Sequence, residues 1–172
     1  MFLKPVENLR DAMRVRTLRN SCRDHLTNYT NEIGFLHQLL WFYRHYRDAR
    51  KTGKYRLYLW CDDQGLLIGY GALARADDEL LITECVATKY RRQGHGRLIL
   101  ERLVQIAREE KRDLVAEIWA TNAGSVALHE RAGFKLESSA TKQGKQLCRY
   151  VLSAQIPLAE KESPAKRSRI VA

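Results

Sequence analysis

The sequence predicts an α/β protein in which one layered sheet is flanked by helices. Segments with helical periodicity alternate with short apolar runs of strand length, and turn-forming residues separate them. The chain of 172 residues fits one domain and is long enough to bury a sizeable core. The predicted order is two helices, three antiparallel strands, a helix, a strand, a helix and two strands.

Two helices are predicted in the first third of the chain. Residues 6–19 carry a rough apolar stripe, and residues 32–46 place Ile33, Leu36 and Leu40 at helical spacing. Aromatic residues widen the second stripe, namely Trp41, Phe42, Tyr43 and Tyr46. They could form a ligand wall, but an aromatic stripe at helical spacing is more often part of a core.

The strands are predicted from apolar runs bounded by turn residues. Runs 55–61 and 66–75 flank a segment with hairpin-turn chemistry, and a third strand covers 80–87. The remaining elements are a helix from Leu98 to about Arg112, a strand over 114–120, a helix over 125–132 that Gly133 ends, and strands over 134–141 and 146–152.

The chain is strongly basic, with a formal net charge of +10. The resulting positive electrostatic field attracts polyanions and also acidic cofactors, so the net charge alone does not distinguish between these two classes of ligand. Part of the excess lies near the end of the chain, where few apolar residues predict disorder. We therefore expect one domain over residues 1–152 and a basic, disordered tail over 153–172. Nucleic acid and a homodimeric partner both stay open.

Cysteine usage and the amino terminus predict a cytoplasmic protein. Cys22, Cys61, Cys85 and Cys148 form no Cys-x-x-Cys pair and are interpreted as reduced, structural residues. Residues 1–5 lack a signal peptide's apolar core, and no apolar run approaches the ~18 residues of a membrane span. The histidines show no metal-ligand spacing, so no metal is expected.

A basic turn at residues 89–97 follows the third strand and leads into a helix. Gly94 and Gly96 can adopt backbone angles closed to other residues and let a ligand approach the chain. The free N-H groups of the helix's first turn carry about half a positive charge. A pyrophosphate fits such a site.

Other glycine-loop motifs match this turn less well. A P-loop would need Lys-Ser or Lys-Thr at the helix start, whereas Arg97 and Leu98 stand there, and a dinucleotide fingerprint would need a glycine at Ile99. On this segment alone, a basic surface turn or a nucleic-acid patch stays open. That patch would comprise Lys89, Arg91, Arg92 and Arg97.

A second motif begins at Asn122, and the two motifs together resemble the GNAT acyltransferase superfamily. The first block matches that family's Arg/Gln-x-x-Gly-x-Gly/Ala pattern at Arg91, Gly94 and Gly96. The second matches Asn-x-x-Ser/Ala-x-x-Leu-Tyr/His-Glu-x-x-Gly-Phe at Asn122, Ser125, Leu128, His129, Glu130, Gly133 and Phe134. The resemblance extends to about residue 152 and is weak over the first fifty residues.

The resemblance implies a mixed, mostly antiparallel sheet with helices on both faces and a splayed parallel strand pair at the cofactor cleft. It also implies transfer of an acetyl group from acetyl-CoA to a primary amine by direct attack in a ternary complex. Strand backbone would hold the acetyl and pantetheine groups, the glycine turn would hold the pyrophosphate, and Asn122 would touch the pantetheine arm while also suiting a helix cap. The implied cofactor residues are Val86, Ala87, Arg91, Arg92, Gln93, Gly94, His95, Gly96, Arg97, Asn122 and Ser125.

Glu84 is the candidate general base. A lysine-like amine with pKa ~10.4 is neutral in about one molecule in 2,500 at pH 7, a deficit of roughly 4.6 kcal/mol, so a base matters most. Glu84 lies in an otherwise apolar strand, where burial could raise its pKa. Glu117 on the next strand is the rival. Strand alternation places Glu84 on the face of Val86, and a carboxylate merely paired with an arginine is the alternative for both.

His129 stands where many relatives carry a tyrosine that protonates the coenzyme A sulfur, which is the main departure from the family. Imidazole can donate a proton near neutrality, and a histidine that only packs or hydrogen-bonds is an equal alternative. Some small-molecule branches of the family resemble this chain in having Leu-His-Glu here.

The acceptor amine stays open. A small molecule is favoured, and a protein amine or an amine-modified nucleobase is an alternative. Two other functions compete with catalysis: a GNAT-like nucleic-acid-binding module that has lost activity, and an acyl-CoA sensor without turnover. The basic residues are not interleaved with aromatic residues as a stacking platform requires, which disfavours the first.

Overall fold

The computed structural model describes residues 1–27 and 31–154. Its strands are β1 (Phe2–Pro5), β2 (Tyr55–Cys61), β3 (Leu67–Ala76), β4 (Glu79–Val86), β5 (Asp113–Trp119), β6 (Lys135–Lys142) and β7 (Lys145–Leu152). They form a seven-stranded sheet in the order β1-β2-β3-β4-β5-β7-β6. Every neighbouring pair is antiparallel except β4 with β5, which confirms the mixed, mostly antiparallel sheet.

Five α-helices accompany the sheet in the described residues: α1 (Leu9–Ser21), α2 (Phe35–Trp41), α3 (Arg47–Lys51), α4 (His95–Glu109) and α5 (Ala123–Arg131). A π-helical segment, Phe42–Tyr46, joins α2 to α3, and short 3-10 turns cover Arg23–His25 and Thr88–Tyr90. Residues of α1 and of the π-helical segment pack on one face of the sheet, and α4 packs on the other. Helices on both faces are thus confirmed.

The sequence prediction missed strand β1. Its four residues pair with β2 from Phe2 opposite Cys61 to Pro5 opposite Tyr58. A run this short is below the length at which period-two alternation can be detected. Pro5 further disguises it, yet a proline is tolerated because β1 is an edge strand.

The second predicted helix, 32–46, has different bounds in the structure. It begins at Phe35 and continues through the π-helical segment to Lys51. Residues 47–51 are mostly charged, so no apolar stripe indicates the last turns. Phe42 and Tyr46 are buried, and the Tyr46 hydroxyl donates to the Val6 carbonyl at 2.8 Å. These two aromatic residues therefore belong to the core, while Tyr43 is exposed.

Helix α4 lies unusually close to strand β3 because two glycines face it. A Cβ at Gly71 would lie 2.8 Å from Leu103 Cδ1, and a Cβ at Gly69 would lie 2.8 Å from Ile99 Cδ1. Leu103 and Ile99 are fully buried. The glycines thus fix the distance between α4 and the sheet, and with it the position of the α4 amino terminus.

Gly69→Ala is expected to destabilise the fold by about 1–3 kcal/mol, because the new methyl would also lie 2.6 Å from the Cys85 carbonyl oxygen. Urea unfolding measures the change. Gly124→Ala in α5 is the matched control: its Cβ would meet nothing nearer than Asn122 Oδ1 at 4.0 Å, so helix propensity should make it neutral or stabilising. Equal effects of the two substitutions would contradict this account.

Strands β4 and β5 separate soon after they pair. Their parallel ladder has three residue pairs, from Glu79 with Asp113 to Leu81 with Val115. Beyond these pairs β5 continues along β7, and β4 continues along β3. The splayed parallel pair is therefore present, and a gap opens beside the carboxyl end of β4.

The predicted tail lies outside the described residues except for Ser153 and Ala154. The Ala154 N-H donates to Asp113 Oδ1 at 2.9 Å, so the chain stays attached to the sheet to that point. Within the described part of the chain, no helix has both the length and the apolar character needed to cross a bilayer.

Candidate active site

One cavity follows the gap between β4 and β5. Most of the site residues predicted from the sequence line it: Glu84, Val86, Arg91, Arg92, Gly94, Gly96, Arg97, Asn122, Ser125 and His129. Ala87, Gln93 and His95 do not line it. Residues from two motifs distant in sequence thus meet at one opening.

The backbone of β4 has an unpaired edge at this opening. The Ala87 N-H donates to Ile68 O on β3, and the Ala87 carbonyl accepts from Tyr90 N-H. Since backbone groups alternate in direction along a strand, those of Val86 and Glu84 point away from β3 and into the gap. Val86 therefore offers a backbone N-H to a ligand, while both backbone groups of Ala87 are engaged within the protein.

The glycine turn presents the amino terminus of α4. Arg92 and Gly94 have positive φ angles of 59° and 85°, and Gly94 is the N-cap of the helix. No side chain of the described residues caps α4, so its first-turn N-H groups keep their capacity to bind an anion. The absence of a Cβ at Gly96 keeps that approach open.

Three side chains of the turn face other parts of the protein. The Arg91 guanidinium donates to Val86 O at 3.1 Å and contacts Cys22 Sγ at 3.4 Å. His95 is buried, and its Nδ1 lies 3.4 Å from Trp60 Nε1. Gln93 Nε2 donates to Lys89 O. Only the backbone of Gln93 and His95 is thus placed for a ligand, whereas Arg92 and Arg97 are exposed at the rim.

Asn122 caps helix α5, as the sequence allowed. Its side-chain oxygen accepts from the Ser125 N-H at 3.3 Å, which orders the first turn. The Asn122 side-chain amide is a donor beyond that bond. Ser125 in turn contacts the next functional candidate, since its carbonyl oxygen lies 2.9 Å from His129 Nδ1.

Glu84 and His129 face one another across the end of the gap. Oε1 of Glu84 lies 3.5 Å from Nε2 of His129, and the two side chains are 12% and 1% exposed. The alignment falls short of a hydrogen bond, so the contact is electrostatic. Burial raises the pKa of Glu84, and the nearby His129 partly opposes that rise.

The geometry fixes where protons lie in this pair. A carbonyl only accepts, so the contact of His129 Nδ1 with Ser125 O places a proton on Nδ1. A neutral ring then presents a lone pair at Nε2 toward Glu84, and a lone pair repels a carboxylate. A proton that reaches this site would therefore be shared between His129 Nε2 and the Glu84 carboxyl.

The two carboxylates considered as bases lie on opposite faces of the sheet. Glu84 shares its face with Ile82, which packs in the core that includes α4. Glu117 alternates with Ala116 and Ile118 of that same core, so its side chain points to the other face. The alternation expected from the sequence thus puts Glu84 beside α5, and Glu117 on the side of the loop after α1.

That loop is anchored over β5 and the β6-β7 hairpin. Trp119 Nε1 donates to Leu26 O at 3.0 Å, Thr27 Oγ1 donates to Glu117 O at 3.3 Å, and Lys142 Nζ donates to Thr27 O at 3.3 Å. The anchored residues border the gap from the face opposite His129. They were not recognised in the sequence, because hydrogen bonds between segments ninety or more positions apart leave no local signal.

The described residues contain no group of three or more histidine, cysteine, aspartate or glutamate side chains that could hold a metal ion. The four cysteines are free thiols and are buried. The donor set at the gap consists instead of backbone N-H groups, amides, hydroxyls and the Glu84–His129 pair.

This combination of splayed strands, glycine turn and second motif defines an acetyltransferase of the GNAT type. The chain belongs to the GNAT acetyltransferase family, whose model matches residues 18–134. Members of this family use acetyl-CoA, and the protein is accordingly an N-acetyltransferase. A search of the curated proteins finds no match to this chain.

Solved structures share this fold. An N-acetyltransferase from Staphylococcus aureus Mu50 has a TM-score of 0.76 at 18% identity, covering 90% of this chain and 98% of its own. YncA of Salmonella typhimurium, solved with its cofactor acetyl-CoA, has a TM-score of 0.73 at 22% identity, covering 95% and 99%. The ribosomal-protein-alanine N-acetyltransferase of Brucella melitensis has a TM-score of 0.73 at 21% identity, covering 89% and 99%. At these identities the likeness concerns the fold.

Proposed function

We propose that this protein transfers the acetyl group of acetyl-CoA to a primary amine by direct attack in a ternary complex, with Glu84 as the general base. The observation that carries the proposal is the gap between β4 and β5. The Val86 N-H, the uncapped start of α4 and the buried Glu84 carboxyl all meet there. Such a gap joins an anion site to a proton acceptor.

The residues present fit the cofactor. The first-turn N-H groups of α4 would hold the pyrophosphate, with Arg92 and Arg97 supplying charge at the rim. The Val86 N-H would bind the acetyl or pantetheine group, and the Asn122 amide would bind the pantetheine arm. When bound, acetyl-CoA supplies the thioester carbon that the amine attacks.

Deprotonation of the acceptor amine is the most costly requirement of the reaction, and Glu84 is the residue that would meet it. Because burial raises its pKa toward the operating pH, its carboxylate is a stronger base than an exposed glutamate. A proton taken from the amine, directly or through a water, would settle in the Glu84–His129 pair. With that proton the pair is either a neutral carboxyl beside a neutral imidazole or a carboxylate beside an imidazolium, so no unpaired buried charge remains.

His129 is proposed to act through Glu84. It is 1% exposed, its Nδ1 is directed at Ser125 O, and its Nε2 is directed at Glu84. The ring borders the cavity, but both of its nitrogens are directed at protein groups rather than at a departing thiolate. The geometry therefore favours a positioning role for His129 over direct proton donation, whereas the sequence left donation and a packing or hydrogen-bonding role equally open.

His129→Phe is expected to move the acid limb of the kcat/KM profile to higher pH. His129 lowers the pKa of Glu84, so its removal raises that pKa, and the base becomes available only at higher pH. Phenylalanine preserves the edge-on contact with Phe134, whose ring centroid is 4.9 Å away. Initial rates from mildly acidic to alkaline pH measure the shift, and an unshifted profile would contradict the coupling.

A small amine is the favoured acceptor. The anchored residues Leu26 and Thr27 border the gap, and Glu117 faces the same side. We favour a compact amine because these residues approach the gap from the face opposite His129 and narrow the acceptor side. A protein amine and an amine-modified nucleobase remain alternatives for the same chemistry, given the net charge of +10.

The test combines binding and turnover in one preparation. Calorimetry with acetyl-CoA comes first, followed by thiol release against small amines, peptides, amine-modified nucleosides and DNA. Micromolar binding with thiol release for a subset of amines is the expected result. Binding without release for any amine would favour an acyl-CoA sensor. No binding at low salt, with salt-sensitive DNA binding, would favour the nucleic-acid module.

A further inference from the structure

Cys22 and Cys85 come together behind the cleft, although sixty-two residues separate them in the sequence. Cys22 is the C-cap residue of α1, and Cys85 lies on β4 immediately before Val86. Their sulfur atoms lie 3.8 Å and 3.9 Å from the same oxygen, the Val86 carbonyl. Two thiols that share one acceptor oxygen are close neighbours, and each contacts the other.

The two sulfurs have unequal surroundings. Arg91 NH2 lies 3.4 Å from Cys22 Sγ, and Ser21 Oγ lies 3.7 Å from it. A hydrogen bond from Cys85 lowers the pKa of Cys22, and Ser21 and Arg91 act in the same direction against its burial. The same bond and burial raise the pKa of Cys85. Of the two sulfurs, Cys22 Sγ is the one beside the Arg91 guanidinium, so Cys22 is the thiol that ionises more readily.

Other ionisable groups surround the pair without reversing this order. Tyr70 of β3 and Glu84 of β4 add negative potential near Cys85 when they are charged. His25 contacts the guanidinium of Arg91 at 3.2 Å. Of these groups, Arg91 is the one that touches Cys22 Sγ, which fits a nucleophilic sulfur beside a fixed cation.

We propose that Cys22 and Cys85 form a redox-active dithiol, in which a peroxide oxidises Cys22 and Cys85 then closes a disulfide between α1 and β4. The Cys22 thiolate attacks one peroxide oxygen, the O-O bond breaks, and Cys22 becomes a sulfenic acid as the other oxygen leaves and takes up a proton. The Cys85 sulfur attacks the sulfenic sulfur, the S-O bond breaks and water leaves. In total two thiols and one hydrogen peroxide give one disulfide and two waters.

The fold gives this reaction both access and freedom to close. Cys85 and Arg91 line the cavity, and Cys22, which is 1% exposed, lies directly behind Arg91, so a small neutral oxidant must pass these two side chains to reach it. A disulfide needs sulfurs at about 2.05 Å, so the two side chains must approach one another. The backbone N-H and carbonyl of Cys22 are bonded to Arg19 O and the His25 N-H, so the approach must come from rotation of the two side chains.

Closing the disulfide would alter the cofactor cleft, a consequence that rests on the proposed function. Oxidation removes the ionisable Cys22 sulfur that Arg91 contacts and moves both sulfurs relative to the Val86 carbonyl. Arg91 and Val86 belong to the motif that would hold acetyl-CoA. Oxidation should therefore lower acetyl-CoA affinity by about tenfold or more.

The other two cysteines of the protein, Cys61 and Cys148, serve as controls for the proposed pair. Cys61 is as buried as Cys22, at 1% exposure, but burial raises its pKa. Cys148 is buried on β7. Neither sulfur lies beside Arg91 among the hydrogen bonds of the described residues. Cys61→Ser therefore matches Cys22→Ser in chemistry and burial without removing the pair.

The experiment treats the full-length, reduced protein with hydrogen peroxide, blocks remaining thiols with iodoacetamide and maps linkages by mass spectrometry without reduction. The expected product links Cys22 to Cys85, forms equally in Cys61→Ser, is absent from Cys22→Ser and Cys85→Ser, and reverses with dithiothreitol. In Cys85→Ser, a dione probe should trap sulfenic acid at Cys22. Equal oxidation of all four cysteines, a different linkage, or the same linkage only in urea would overturn the proposal.

Acetyl-CoA calorimetry on the same samples separates the two proposals. Reduced protein that binds and oxidised protein that binds about tenfold more weakly, with recovery on reduction, supports the switch. Unchanged affinity in the fully linked protein overturns the effect on the cleft. Reduced protein that does not bind at all contradicts the proposed function instead, and the linkage map still decides whether the dithiol exists.

Discussion

Glu84→Gln is expected to lower kcat by about a hundredfold or more near neutral pH, because removal of a general base typically costs ~10²–10⁴ in rate. The amide cannot take the proton from the amine, so the variant depends on acceptor molecules that are already neutral. Its residual rate should therefore rise with pH toward the acceptor's own pKa. Steady-state thiol release across pH measures both effects.

Glu117→Gln is the matched control for this substitution. The residue is the same type on the neighbouring strand, but its side chain is on the opposite face. It should keep most of its activity and the parental pH profile. A large loss in Glu117→Gln with little loss in Glu84→Gln would transfer the role of base to Glu117.

Stability provides a second readout for Glu84→Gln. The folded-state pKa of Glu84 is raised, so the fold binds this proton more tightly than the unfolded chain does. The ionised carboxyl therefore destabilises the fold as pH rises above the ordinary glutamate value. Relative to the parent, the melting temperature of the variant should improve with increasing pH. A variant that is inactive because it unfolds would show the reverse.

Gly96→Trp is expected to abolish acetyl-CoA binding while the fold persists, which corresponds to an affinity loss of about a hundredfold or more. A Cβ at Gly96 would meet Leu128 Cδ2 at 3.4 Å, an ordinary contact, so the backbone accepts a side chain. An indole at this position would cover the first-turn N-H groups of α4. Calorimetry measures the affinity, and a thermal melt monitors the fold.

Gly96→Ala is the graded control, since it adds only the methyl that the neighbouring atoms tolerate. It should retain the fold and lose much less affinity than the tryptophan variant. If Gly96→Trp binds acetyl-CoA with parental affinity, the pyrophosphate does not lie at the start of α4. The salt dependence of binding in the parent should agree with an anion held there.

The parts of the fold that could be predicted from the sequence are those with a local signal. Hairpin chemistry indicated the turn between β2 and β3, and the apolar runs marked β4 and β5. The motif pair from Arg91 to Phe134 indicated the family, and with it the splayed strands. Asn122 was recognised as a helix cap because capping depends on residues three positions apart.

The parts that could not be predicted depend on contacts between distant segments. Glu84 and His129 lie forty-five residues apart, and no pattern in either segment indicates that they share a proton. The inward direction of the Arg91 guanidinium depends on Cys22 of α1, which the motif does not include. Strand β1 needed its partner β2 to be recognised, since Pro5 and the four-residue length hide it.

The three-residue ladder between β4 and β5 divides the sheet into two half-sheets, β1 to β4 and β5 to β7. In a continuous sheet, the backbone N-H and C=O groups of β4 and β5 would be hydrogen-bonded to each other along the full length of both strands. Here β4 and β5 are hydrogen-bonded at one end and separated at the other. A molecule bound in the gap would connect the two separated strands. The shortest ladder in the sheet is therefore also the place where, in the proposed function, the two substrates would meet. A ligand that connects the two half-sheets should therefore stabilise the folded protein as well as take part in the reaction.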